Sequence, residues 1–279
     1  MSATSATLNR KARAPIFVLL VVAAVTVIYP IVFIATSAFR TNADYLRAPS
    51  GLPEELTFQN FVVLWNNYGV GQSVANSLTV VLIALVIELA LAILAGYALA
   101  KFPVPGAKLI NTSFVSVMLI PSQVLIIPIY LLLSRLDMVG EFSGLILVYV
   151  ATGLPFATFF LSLTFRSIPT ELLEAARIDG AGFFRGLASI VVPVGGSGIA
   201  TLAVLQFLSM WNELLFAYIL LPDDTKTLLT PALAQIGGRY MTDQPLVSAG
   251  LLVTALPPIL LLAFASRYVM QGLAAGVTR

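Results

Sequence analysis

At 279 residues, 59% hydrophobic and only 10% charged, the chain carries far less charge than a soluble domain, in which about a quarter of residues are charged, so lipid has to be the solvent for much of its surface. A formal net charge of +2 excludes the basic footprint of a nucleic-acid binder. Cysteine and histidine are both absent, which excludes disulfides, thiol nucleophiles, Cys/His metal sites and a histidine-based triad.

The first element is an uncharged run over 14–37 behind a basic start, Arg10, Lys11 and Arg13. A helix needs about 20 apolar residues to cross the hydrocarbon, and the run exceeds the roughly 7–15-residue core of a cleaved signal peptide. Residues 41–72 follow, with Pro49, Gly51, Pro53, Trp65 and Tyr68, as a partly ordered extracytoplasmic segment. The second span, 73–99, is interrupted only by Glu88. Glu88 is about 14 residues in, roughly 21 Å along a helix and so near mid-membrane. An ionisable residue at that depth is a functional candidate. The plainer reading is a carboxyl kept protonated, or paired with a neighbouring subunit for assembly.

The third and fourth spans, 109–134 and 142–165, contain Pro121, Pro128 and Pro155. These kink helices, which suits either a cavity that opens alternately to two sides or simple architecture. The fifth, 190–220, carries only Glu213, preceded by Trp211 and Asn212. An aromatic face, an amide and a carboxylate inside an apolar run make Trp211, Asn212 and Glu213, with Glu88, candidate functional residues. On an ideal helix Glu213 is about 23 residues from Ile190, roughly 35 Å, near the outer mouth. Trp211 and Tyr218 also suit interface anchoring. The sixth span is 245–266. None of these runs alternates as a barrel strand would, so the fold class is an all-α polytopic membrane protein with six transmembrane helices, read as one domain over 1–279.

Orientation follows the basic residues. With the N-terminus inside, Arg10, Lys11, Arg13, Lys101, Lys108, Arg166, Arg177, Arg185, Arg267 and Arg279 fall on one side. Arg40, Arg47, Arg135, Lys226 and Arg239 fall on the other. The bias favours both termini being cytoplasmic.

Residues 166–189 then form the one long inside loop. Pro169 suits a first helical position, Glu171 and Glu174 lie toward the positive end of the helix dipole and Arg177 toward the negative end. Gly180 can take the left-handed conformation that stops a helix, and a second short helix runs from about 182 to 189. Such a stiff projection fits a docking element; an interfacial helix on lipid headgroups is the alternative.

Glu174-Ala175-Ala176, Arg177, Asp179, Gly180, Ile190 and Pro193 resemble, in identity and spacing, the EAA loop of ABC-importer permeases, with Glu-Ala-Ala-Arg-Ile-Asp-Gly-Ala similar to the carbohydrate-uptake, MalG-like branch. Val192 stands where that family has Leu, and Ser189 where the branch often has a basic residue. The likeness extends to Asn76-Ser77-Leu78, Ala95 to Phe102, Ile120-Pro121, Pro128-Ile129-Tyr130, Trp211-Asn212-Glu213 and Arg267 to Gly276.

The resemblance implies a coupling helix in the 166–189 loop and the transport of a sugar or sugar-like solute, a class held by aromatic faces, amides and carboxylates, which makes Trp211, Asn212 and Glu213, with Glu88, candidates for the translocation path. It also implies a second permease subunit as heterodimer partner, an ATPase subunit dimer and an extracytoplasmic solute-binding protein. It implies no cofactor bound by this chain and no catalysis, ATP and Mg2+ being held by the ATPase subunits. The Gly195-Gly196-Ser197-Gly198 run lacks the lysine of a phosphate loop. A secondary carrier for a small polar solute is the rival reading, though no internal repeat supports it. A non-transporting membrane scaffold is a third.

Overall fold

Backbone in hydrocarbon must satisfy every amide internally, which leaves helices and closed barrels. The computed structural model is helical, with no strand among the described residues, 10–239 and 243–277. Arg279, read above as cytoplasmic, lies outside the described residues. In chain order the helices are α1 (Arg10–Ala38), α2 (Asn42–Arg47), α3 (Gln59–Asn67), α4 (Val70–Lys101), α5 (Ala107–Met118), α6 (Ile126–Arg135) and α7 (Phe142–Arg166). Then come α8 (Thr170–Ile178), α9 (Phe183–Gly186), α10 (Val192–Val194), α11 (Gly196–Trp211), α12 (Leu215–Leu220), α13 (Leu229–Arg239) and α14 (Gln244–Val277).

Four segments are long and apolar enough to cross a membrane: Pro15–Ala38, Val70–Lys101, Phe142–Arg166 and Gln244–Ser266. The third and fifth apolar runs are broken. Ala107–Met118 and Ser122–Arg135 meet at 88°, Phe183–Val194 and Gly196–Trp211 at 77°, and counting each bent pair as one span gives six. The breaks have local causes. Pro121 lies between the halves of the first pair and has no N–H to continue a helix. In the second, a π-helical turn at Leu187–Val191 precedes Pro193, and Gly195 lies at the corner. A Cβ on Gly195 would stand 2.8 Å from both Phe165 Cε1 and the Val191 carbonyl oxygen. The Gly195 to Gly198 run is thus a packing corner.

The chain forms two compact units, one of residues up to 68 with 236–253, the other of 69–235 with the residues from 254. In the first unit the loop after α1 is organised by one buried side chain. Arg40 donates from Nε to Asp44 Oδ2 at 2.8 Å and from its two terminal nitrogens to the carbonyls of Asp44, Ala48 and Gly51. Asn60 Nδ2 donates to the carbonyls of Ala38 and Arg40. This is the ordered loop expected from its Pro and Gly content. Its carboxylate should be insensitive over the neutral range. The Asp44 carboxyl is held below its ordinary value chiefly by the hydrogen bond from Arg40, against burial. A depressed carboxyl stabilises above its unfolded value of about 3.9 and loses that contribution as pH falls through the folded value. Protection of the exposed Arg47 from trypsin should therefore fall severalfold in Arg40→Ala at neutral pH. In the parent, protection tested with an acid-tolerant protease should decline only below about pH 4.

In the second unit α4 and α7 pack most extensively. Gly96 permits this: a Cβ there would lie 3.0 Å from Leu161 Cβ and 3.2 Å from the Ser162 nitrogen, the small-residue contact by which membrane helices approach. Ala92, Tyr97, Ala157, Leu161, Phe165 and Leu202 form the buried core beside it. At the start of α4, Asn76 Nδ2 donates to the carbonyls of Thr225 and Thr227, and Ser77 Oγ accepts from the Leu229 amide at 2.8 Å.

Candidate functional site

The loop between α7 and α11 is a helix whose ends are both specified. Pro169 caps α8 rather than opening it, Glu171 lies in its first turn and Arg177 in its last. At the other end Ala181 N–H donates to the Ala176 carbonyl at 2.8 Å and Gly180 N–H to the Arg177 carbonyl at 3.0 Å. Those two bonds, with Gly180 at φ +82°, make a Schellman stop. The underside of α8 is fastened by Leu173, which is buried in the core. It is also fastened by Arg177, whose guanidinium lies 5.3 Å from the Phe102 ring centroid. Tyr97, Phe102 and Phe183 form a three-ring cluster with centroids 4.8–5.3 Å apart. Lys101 Nζ donates to the Ile168 carbonyl.

The outer side of α8 is open. Glu174, Ala175, Asp179 and Gly180 are exposed, as is Pro193, while Ile190 packs partly against the core. Ile178 is 87% and Phe184 74% exposed, and neither was singled out from the sequence. Large apolar side chains standing free beside small alanines and an acid make a surface with a place for a partner.

A second region lies where the third run breaks, beside the C-terminal end of α11. A cleft of about 650 Å3 is lined by the 3-10 turn after Pro121, by α7 and by α11 with the residues that follow it. Its polar lining is Ser122, Gln123, Tyr149, Thr152, Gln206, Ser209, Asn212 and Glu213, with no Lys or Arg. The one lining acid is engaged. Glu213 accepts from the amides of Phe216 at 2.9 Å and Ala217 at 3.0 Å, capping α12, and from the Tyr149 hydroxyl at 3.2 Å. A carboxylate is stabilised at a helix N-terminus by the amides and the dipole. The cleft thus offers neutral donors and acceptors.

The four path candidates separate. Asn212 and Glu213 line the cleft. Trp211 does not: it is 3% exposed, stacked on Phe207 with centroids 5.5 Å apart, and its Nε1 donates to the Thr254 carbonyl at 3.0 Å. Glu88 is fully buried. Its Oε1 accepts from Gln206 Nε2, and its Oε2 has no hydrogen-bond partner, a condition costing about 1–3 kcal/mol or more for a charged group. Gln206, which touches both Glu88 and the cleft, was missed from the sequence: a lone Gln in an apolar run gives no signal until its partner on another helix is known.

Residues 89–274 match the family described as binding-protein-dependent transport system inner membrane component. The chain is 32% identical over 281 aligned residues to the diacetylchitobiose uptake system permease protein NgcG of Streptomyces coelicolor, covering 100% of this chain and 93% of that relative. It is 30% identical to the trehalose transport system permease protein SugB of Mycobacterium tuberculosis over 82% of this chain and 84% of that one. Its fold is similar to that of a chain in the crystal structure of a bacterial ABC transporter involved in the import of the acidic polysaccharide alginate, with a TM-score of 0.83 and 22% identity, covering 95% of this chain and 99% of that chain.

Proposed function

The chain belongs to the binding-protein-dependent transport system inner membrane components, and we propose that within such an importer it moves an uncharged oligosaccharide. It is a multi-pass inner-membrane transport component, not the subunit that hydrolyses ATP. In this reading a second permease completes the pathway, an ATPase dimer binding ATP and Mg2+ docks on the α8 side, and an extracytoplasmic binding protein delivers solute on the other. Both termini and α8 are cytoplasmic, in line with the Lys/Arg bias.

The observation that carries the solute class is the cleft, lined by neutral hydrogen-bonding side chains and one acid, Glu213, that is already held by two amides and a hydroxyl, with no cation. A polyhydroxylated solute needs many donors and acceptors and no counter-charge, and the alternative of a buried unpaired charge is expensive in a membrane. The names of the relatives, a diacetylchitobiose and a trehalose permease, agree with that class.

The test is uptake of labelled N,N′-diacetylchitobiose and trehalose by vesicles holding the whole transporter with its binding protein. Accumulation of either, driven by ATP, is the expected result. Asn212→Leu, which removes an exposed amide at the cleft, should cut uptake about tenfold, the equivalent of one hydrogen bond to a neutral solute, with the complex still assembled. Uptake of neither sugar by the parent transporter overturns the assignment. A cysteine placed at Gly182 in this cysteine-free chain reports the orientation, and labelling by an impermeant reagent from outside intact cells would reverse it.

A further inference from the structure

Three helices meet at one point beside the cleft. Gln206 on α11 lines the cleft and donates from Nε2 to Glu88 Oε1 on α4. Gly153 on α7 faces both: a Cβ there would run into the Glu88 carboxyl and the Gln206 amide. Glycine at 153 is therefore what lets the pair come up to the cleft wall. Glu88 is fully buried and its Oε2 is without a partner, so a hydrogen-bonding position stays open behind the wall. The pairing also fixes the amide. With its nitrogen committed to Glu88, the carbonyl oxygen of Gln206 is the end left for the cleft.

We infer that Gln206, held by Glu88 and admitted to the cleft wall by the missing side chain of Gly153, forms a hydroxyl-binding subsite for the transported solute, with Gln206 as the contact and Glu88 as the positioning residue that holds it. The inference rests on the reading of the chain as a carrier of an uncharged oligosaccharide. Its ligand class is a neutral polyol, because a hydroxyl can donate to the amide oxygen that Gln206 presents to the cleft. The groups in the cleft around the pair include no Lys or Arg. Among the cleft residues only Glu213 is an acid, and it is held by the Phe216 and Ala217 amides.

The bland alternative is that the pair only locks α4 to α11. The two differ in what is lost. A lock affects how much transporter assembles; a subsite affects how much solute crosses per ATP split by what does assemble. The experiment reconstitutes the complete transporter with its loaded binding protein and measures N,N′-diacetylchitobiose moved per ATP hydrolysed, normalised to assembled complex. Gln206→Leu and Glu88→Leu should lower that ratio about tenfold, the effect of one neutral hydrogen bond. Glu88→Gln, which keeps a partner for the Gln206 amide, should recover most of it. Gly153→Ala, which pushes the pair aside, should behave as Gln206→Leu does. An unchanged ratio in Gln206→Leu and Glu88→Leu, with only the yield of complex reduced, overturns the subsite and leaves the lock. A parent transporter that moves no neutral saccharide overturns the sugar reading, and the subsite with it.

Discussion

Glu174→Lys and Gly180→Val are each expected to abolish solute uptake while leaving the chain inserted in the membrane. Neither position lies in a span, and both face outward from α8. Glu174 has no partner to lose within the chain among the described contacts, so its reversal is felt only against a docked protein. There a reversed, desolvated charge costs about 2–5 kcal/mol. Gly180 acts through geometry. Its φ is +82° and a Cβ placed on it meets nothing within 4 Å. The penalty for valine is thus conformational rather than steric, at least about 1–2 kcal/mol. Relief requires the Schellman stop to open and the Ala181-to-Ala176 bond to break, which re-aims Phe184 and Ile178. The check is recovery of the ATPase by pull-down alongside uptake in the same membranes. Normal values of both in both variants would show that α8 is not the coupling element.

Trp211→Ala should destroy assembly rather than change what is transported. Within a membrane, packing and internal hydrogen bonds hold helices together. Trp211 supplies both, through the burial of its indole, stacked on Phe207 of its own helix, and its bond to the Thr254 carbonyl on α14, and its own carbonyl accepts from Thr230 Oγ1 at 2.9 Å. Removal of so large a buried ring costs about 3–5 kcal/mol. The expected readout is a strongly reduced yield of complex and a lowered melting midpoint in detergent. Asn212→Leu, one residue on, should leave both unchanged. Trp211→Ala chains that assemble at the parent level but take up a different range of solutes would return Trp211 to the path.

Much of this was legible in the sequence because the bilayer sets a length that apolar runs must meet. All six runs reappear as helical segments. Gly180 was legible for a similar reason: a left-handed residue three places after Arg177 leaves few choices but glycine. The breaks were not. Pro121 signalled a kink, but an 88° turn depends on what the two halves pack against. The fifth run read as one rod that put Glu213 roughly 35 Å from Ile190; the 77° corner at Gly195 removes that rod, and the close approach of the Phe165 ring to that corner comes from another helix. The Trp-Asn-Glu string was read as one unit, yet successive helical residues point in different directions, so the first faces the core and the next two the cleft. Gln206 and Gly153 became visible only when three helices were in place.

Lys101 and the ring cluster seat α8 on the last turn of α4, and Glu88 lies about 13 residues back along that same helix, roughly 20 Å at 1.5 Å per residue. No proline interrupts α4. One stiff rod thus carries the seat of α8 at one end and, along its middle, the carboxyl that holds Gln206 at the cleft. A shove on the α8 surface needs no hinge or flexible tether to be felt at Gln206. Were α8 the surface on which an ATPase pushes, the transmission would be as short as one helix allows.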